Sequence, residues 1–340
     1  MTTVLPPALL SARESVEPAL RTAVRRLDPG TRRVGEYHFG WSDADGSPAD
    51  AGGKALRPAL VLVATECAVG DRTGGAGEAA TAAATAVELV HNFSLLHDDV
   101  MDGDASRRHR PTAWTVFGRS EALLAGDALL SLSPDVLLES GAPNASAGVR
   151  SLSATTRVLI AGQSADLSFE RRQDVGLDEC LRMAHDKTAA LLGCACSIGP
   201  LILGARREAV RGLHAYGTEL GLAFQLIDDL LGLWGDPEVT GKPVLSDLRA
   251  RKKTVPVVHA LTSGTREGDR LRELYDQPEE LTEEQLAEAA EMVRRAGSED
   301  WTRQECRRRL AAAEEQLASE ALGSTEPMGE LAEFIVRRKL

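Results

Sequence analysis

Aromatic residues are scarce: Phe, Trp and Tyr make up 4% of the 340 residues. Strands draw on aromatic and β-branched side chains, so this scarcity, beside abundant alanine and leucine, excludes a β-rich fold and favours helix. Positive charge is not in excess. The formal net charge is −12, which speaks against a general nucleic-acid binder. No apolar run is long enough to span a membrane. The five cysteines (Cys67, Cys180, Cys194, Cys196, Cys306) have no framework spacing. Cys194 and Cys196 form C-x-C, not C-x-x-C, in an apolar segment, and all five read as buried reduced thiols of a cytosolic protein. The start, MTTVLPPALLSARES, lacks a basic stretch followed by an apolar core, so no signal peptide is expected.

Helical periodicity is what remains. It predicts helices over 6–28, 55–69, 76–101, 112–137, 146–170, 177–203, 206–234, 252–263, 281–297, 300–321 and 327–338. No β-hairpin is expected. Residues 29–53, rich in Gly, Asp and Pro, read as the longest irregular segment, and 139–148 as a shorter break. Apolar helices of similar character flank both, so the chain reads as one all-α domain over 1–340. The polar helices of the C-terminal third read as outer helices with solvated faces.

Charge is concentrated in one place. The stretch NFSLLHDDVMDGDASRRHRP, beginning at Asn92, holds Asp98, Asp99, Asp102 and Asp104, then Arg107, Arg108, His109 and Arg110. A fainter echo, YGTELGLAFQLIDD, ends in Asp228 and Asp229. Both aspartate pairs sit late in helices that are apolar nearly all round, where aspartate is a poor helix former and opposes the helix dipole. Breaking the same rule twice points to a site, not to a solvated face. Asp98 and Asp102 are four apart and share a helix face, with Asp99 beside them. Carboxylates so close repel one another unless cations join them. Oxygen donors with retained water and phosphate suit Mg²⁺. Zinc is disfavoured, since neither H-x-x-E-H nor C-x-x-C occurs. Lys54 and Arg57 in GGKALRP, Lys187 and Thr188 in HDKTAALLG, Lys242 in TGKP and Lys252 in RARKKTVP add cations able to grip a second phosphate group without metal.

DDVMD followed by four residues and RR resembles the first aspartate-rich motif of the trans-prenyl diphosphate synthases. GGKALRP, the Gly126-Asp127 pair, GQSADL, DKTAALLG, FQLIDD and GDPEVTGKPVLSDLRARKKTVP resemble that family's other motifs, in its order, over about 50–260. The resemblance implies an all-α fold around a deep central cavity. It implies that Asp98 and Asp102 bind two Mg²⁺ and Asp228 a third, with Mn²⁺ able to substitute, and that Asp99 and Asp229 give close support. Arg107, Lys187, Lys242 and Lys252 would hold the allylic diphosphate. Thr188 and Gln225 would line the cation's path. Lys54, Arg57, His91 and Arg108 would hold isopentenyl diphosphate without metal. The implied protein is a cytosolic homodimer.

Two departures stand out. The second motif reads DDLLG, with Gly232 where the family usually has a third aspartate, so retained activity with weaker metal affinity is expected. His109 stands where glycine commonly follows the arginine pair, and reads as a surface histidine. Phe93 and Ser94, five and four residues before Asp98, lie about one turn from it. In the family that the motifs resemble, one aromatic at the first position goes with a geranylgeranyl product, of twenty carbons, and an aromatic at both positions with a farnesyl product of fifteen, so the resemblance implies the longer. Two other readings compete: a class I terpene cyclase on the same fold, which would not need Lys54, Arg57, His91 and Arg108, and a non-catalytic regulatory subunit, which would typically have lost a first-motif aspartate.

Overall fold

The computed structural model describes residues 5–70, 74–235, 244–318 and 322–336. Among the described residues the regular secondary structure is almost wholly helical. They fall into two compact units: residues 1–156, 191–217 and 316–331 in the first, and residues 157–190, 218–315 and 332–340 in the second.

In the first unit, α1 (Pro7–Val24), α3 (Leu56–Val69) and α6 (Arg119–Glu139) pack against α4 (Gly75–Asp102). Alanines make this possible. Ala79, Ala80, Ala83, Ala84 and Ala86 are fully or almost fully buried, so neighbouring helices approach α4 closely on several sides. The supposed irregular segment contains a helix, α2 (Pro29–His38). Asp28 caps it by accepting from the backbone N–H of Gly30 and Thr31, and Pro29 sits at its first position. The cap signal was present, but the polar composition around it masked it.

A hairpin also exists where none was expected. Ser106–Arg107 pairs antiparallel with Arg110–Pro111, and Arg108 and His109 form its two-residue turn. Strands of two residues are too short to show alternation. The helix expected over 112–137 is two helices, α5 (Ala113–Phe117) and α6, separated at Gly118, whose φ of +96° favours glycine.

The second unit takes the later part of α7 (Ala145–Phe169), then α8 (Leu177–Ala184) and a π-helical turn His185–Ala189, which interrupts the single helix expected over 177–203 before α9 (Ala190–Ile202). It also takes most of α10 (Arg207–Trp234). Its apolar core joins Leu233, Leu248, Val257, Leu271, Leu274 and Leu286. A helix Arg266–Tyr275, not expected from the sequence, is capped by Thr265. The helix Glu283–Arg295 opens on a capping box formed by Thr282 and Gln285. Among the described residues no helix is long and apolar enough to cross a membrane.

Candidate active site

The end of α4 sorts the first three aspartates. Asp99 is buried at 2% exposure, whereas Asp98 and Asp102 are half-buried on the face they share. The Asp99 carboxylate accepts from Arg107 Nε and Nη2, both at 2.7 Å. The hairpin delivers Arg107 to that place. Its turn residues, Arg108 and His109, have φ of +52° and +61°, the left-handed pair that a tight hairpin turn requires and that glycine or asparagine adopts most easily. His109 is therefore not merely a surface histidine. It fills a backbone position for which glycine is better suited.

The cations of this unit converge around Arg57. A Cβ on Gly53 would meet both terminal nitrogens of Arg108 at 2.9 Å, so the glycine lets that guanidinium lie against the loop preceding α3. Lys54 follows on the same loop and is exposed. Arg57 Nη1 donates to His91 Nε2 at 2.9 Å. Burial, then the charges of Arg57, Arg108 and Arg107, hold His91 well below the usual histidine range, so it is neutral and free to accept. His38, at the end of α2, is held down to about 3 by burial and then by Arg108 and Arg107. Burial pushes the Glu88 carboxyl up, against the pull of Arg57. The side-chain and backbone oxygens of Glu88 accept from Asn92 Nδ2 at 3.0 and 2.8 Å. Glu88, Asn92 and His38 were not singled out in the sequence. For the first two, the available signal was a polar residue in an otherwise apolar helix.

Phe93 is buried, with its ring edge-on to His97 at 4.7 Å between centroids. A Cβ on Gly126 would come within 2.4 Å of the His97 ring, which explains the Gly-Asp pair: the glycine lets α6 close on His97. His97 Nε2 donates to the Leu123 carbonyl at 3.0 Å and lies 3.6 Å from Asp127. Ser94 Oγ donates back to the His91 carbonyl at 2.8 Å.

In the second unit, Lys187 and Thr188 lie in the π-helical turn, a feature frequent at functional sites. Gly162 of GQSADL lets α7 press on that turn, since a Cβ there would meet the Lys187 backbone nitrogen at 2.3 Å. Lys187 Nζ pairs with Asp166 of the same motif at 2.6 Å. Thr188 Oγ1 donates to Gln225 Oε1 at 2.6 Å, and Gln225 Nε2 donates to Asp229 Oδ1 at 2.7 Å. Asp229 Oδ2 accepts from the Val255 N–H at 2.9 Å. Burial pushes the Asp229 carboxyl up to about 7; these two donors oppose the shift, and the charges of Asp247 and Asp228 add to it. Asp228 is half-buried. The Lys252 N–H donates to the Asp247 carbonyl at 2.8 Å. Lys242 lies outside the described residues.

Both acidic stretches offer hard oxygen donors on half-buried carboxylates. Among the described residues no three of His, Cys, Asp or Glu form a ready cage. Half-buried carboxylates suit Mg²⁺, which keeps waters and takes only one or two carboxylates together with substrate phosphates.

The family model described as polyprenyl synthetase matches residues 47–293, spanning every motif above. The chain belongs to that family. It is 48% identical to a (2E,6E)-farnesyl diphosphate synthase of Mycobacterium tuberculosis, over 98% of this chain and 93% of that protein. It is 44% identical to a geranylgeranyl diphosphate synthase of the same organism, over 84% and 81%. A crystal structure of a polyprenyl synthetase from Streptomyces coelicolor A3(2) superposes with a TM-score of 0.90 at 46% identity, covering 96% of this chain and 98% of that one. Membership accounts for the all-α fold and makes the chain a prenyl transferase.

Proposed function

We propose that the chain is a Mg²⁺-dependent prenyl diphosphate synthase that joins an allylic diphosphate to isopentenyl diphosphate. The observation that carries this reading is the gathering of Arg57, neutral His91 and Arg108 beside the Gly53–Lys54 loop. That cluster offers fixed donors to a diphosphate. A cyclase has no use for it, and a regulatory subunit has no need to keep Asp98, Asp99 and Asp102 whole.

Asp98, Asp102 and Asp228 would hold Mg²⁺, three ions in all, with Mn²⁺ as a substitute. The metal supplies positive charge that stabilises the departing pyrophosphate. Arg107, pinned by Asp99, and Lys187, pinned by Asp166, present cations to the allylic diphosphate without a search through rotamers. Lys252 and Lys242 add to them. The allylic C–O bond breaks and its electron pair leaves with pyrophosphate. The isopentenyl alkene, anchored through Lys54, Arg57, His91 and Arg108, forms the new C–C bond. The proton released passes to pyrophosphate. Because the Thr188 hydroxyl proton is committed to Gln225, only oxygen lone pairs remain to meet a carbocation.

Phe93 forms the floor for the growing chain, and the product has fifteen or twenty carbons, with the longer favoured by the single aromatic. Phe93→Ala lengthens the product; an unchanged length makes Phe93 a packing residue only. The enzyme works as a cytosolic homodimer, without nucleic acid.

The test is product analysis by mass spectrometry with dimethylallyl, geranyl and farnesyl diphosphate, each with and without isopentenyl diphosphate. Elongated diphosphates formed only with both substrates support the proposal. Hydrocarbon released without isopentenyl diphosphate supports the cyclase, and inactivity of the purified protein alone supports the regulatory subunit.

A further inference from the structure

The hairpin that carries Arg107 and Arg108 pairs two residues per strand, too few to hold a fixed position unaided. Its register sets Arg107 directly opposite Arg110, and like charges so placed repel. Each arginine therefore needs its own partner. Arg107 has Asp99. Arg110 turns instead to the end of α2 and the residues after it. Its Nη1 donates to the Tyr37 carbonyl at 3.3 Å, and its Nη2 to the Ser42 carbonyl at 2.9 Å and to Asp43 Oδ1 at 3.0 Å. Its guanidinium lies 4.5 Å from the centre of the Tyr37 ring. A cation suits the carbonyls at a helix C-terminus. The Tyr37 hydroxyl donates in turn to the Pro111 carbonyl at 2.8 Å. The second strand of the hairpin is thus fastened to residues 37–43 through both its residues.

The same segment fastens the loop that carries Lys54. The Ala51 N–H donates to the Gly40 carbonyl and the Ala49 N–H to the Trp41 carbonyl, both at 3.0 Å. Gly40 has a φ of +78°, and a Cβ there would meet the Ala51 carbonyl at 2.6 Å, so the two backbones touch just before Gly53 and Lys54. Arg108 closes the circle, since its guanidinium lies against Gly53. If Arg110 lets go, Arg107 stays tied to α4 by Asp99. Among the described residues Arg108 has no ion pair of that kind.

We infer that Arg110 is a positioning residue of the isopentenyl diphosphate site, clipping the hairpin that carries Arg108 to the segment that also fixes the Gly53–Lys54 loop. This rests on the proposed condensing reaction and deepens it. Arg110 touches neither substrate; it sets the spacing between the two halves of the site.

The test is steady-state kinetics with each diphosphate varied in turn, beside thermal melting. Arg110→Gln loses both the charge and the fork. Its KM for isopentenyl diphosphate is expected to rise about tenfold, as a small misplacement of a binding group costs, while kcat and the allylic KM stay near those of the unaltered protein. Arg110→Lys keeps a point charge but neither the fork nor the stacked plane, and should fall between the two. Tyr37→Phe keeps the ring and loses only the bond to Pro111, so it should raise the same KM by a smaller factor with little change in melting. If Arg110→Gln is too unstable to assay, Arg110→Lys and Tyr37→Phe decide by the same split between the two KM values. An isopentenyl diphosphate KM that moves in no variant, or moves no more than the allylic KM, makes Arg110 merely structural and overturns the inference, with the functional proposal left standing. If the unaltered protein makes no elongated diphosphate from the two substrates together, the functional proposal falls and the inference with it.

Discussion

Asp99 and Asp229 hold equivalent places in two similar helices. Each is the second of a carboxylate pair, late in a long apolar helix, and buried. Their surroundings differ. Asp99 faces the full positive charge of Arg107 across 2.7 Å. Asp229 is held by neutral donors, the Gln225 amide and the Val255 N–H, and burial pushes its carboxyl up to about 7. The outer carboxylates differ too. Asp98 and Asp102 come from one helix, whereas four residues after Asp228 the helix has Gly232, against which the Asp247 carboxylate packs from a separate turn. One sequence pattern is thus supported once by an ion pair and once by dipoles, and local sequence alone does not distinguish the two.

The largest effects should come where the two regions are alike. Asp98→Ala and Asp228→Ala are each expected to lower kcat by on the order of a hundred- to a thousandfold, the scale for losing one group that stabilises transition-state charge. Steady-state assays at saturating Mg²⁺ and both diphosphates check this. A large loss at one aspartate with none at the other would break the likeness.

The two kinds of support should differ in what their loss costs. Arg107→Met leaves a buried carboxylate without its charge partner, and a loss of about 3 kcal/mol is expected. Asp229→Asn keeps one acceptor and sets one donor against another, which costs about 1 kcal/mol. Urea unfolding of the two variants should rank them in that order. Equal losses would mean that the ion pair and the dipole cradle are energetically interchangeable.

A third effect belongs to the cationic region only. Burial, Arg108 and Arg107 hold His38 at about 3, against 6.5 for a free side chain. Below pH 6.5 the unfolded chain gains a proton there that the folded chain refuses. Stability therefore falls as pH drops from 6.5 towards 3, by up to about 1.4 kcal/mol per pH unit from this group. Comparing urea midpoints at several pH values, His38→Gln should show a shallower decline than the unaltered chain.

Legibility followed burial. The helices α4 and α10 stood out in the sequence because they are apolar nearly all round, and their aspartates stood out as exceptions to that. Lys54, Arg57, His91 and Arg108 were placed by motif resemblance, and the structure gathers Arg57, His91 and Arg108 around one loop. What escaped was too short or too polar to stand out. The helix α2 is short and polar, and the hairpin pairs only two residues per strand. The π-helical turn keeps a helical pattern while shifting its phase. The packing of Asp247 against Gly232 was hidden for another reason: fifteen positions separate the two, and only the folded backbone brings them together. The glycines of the motifs gained a physical meaning only from the structure, since Gly126 and Gly162 each admit a neighbour where a methyl group would not fit, and Gly53 leaves room for the Arg108 guanidinium.

The smallest expected effect concerns the turn that carries Arg107 to Asp99. His109 holds a φ of +61°, and the left-handed conformation costs a residue with a Cβ about 1–2 kcal/mol. His109→Gly removes that cost. It also frees the unfolded chain, which offsets about 0.4–1 kcal/mol of the gain. The strain is the larger of the two, so a net stabilisation of about 0.5 kcal/mol is expected in urea unfolding. If His109→Gly destabilises instead, the imidazole makes a contribution in the folded protein that outweighs its backbone strain, and the turn is better adapted to histidine than its geometry indicates.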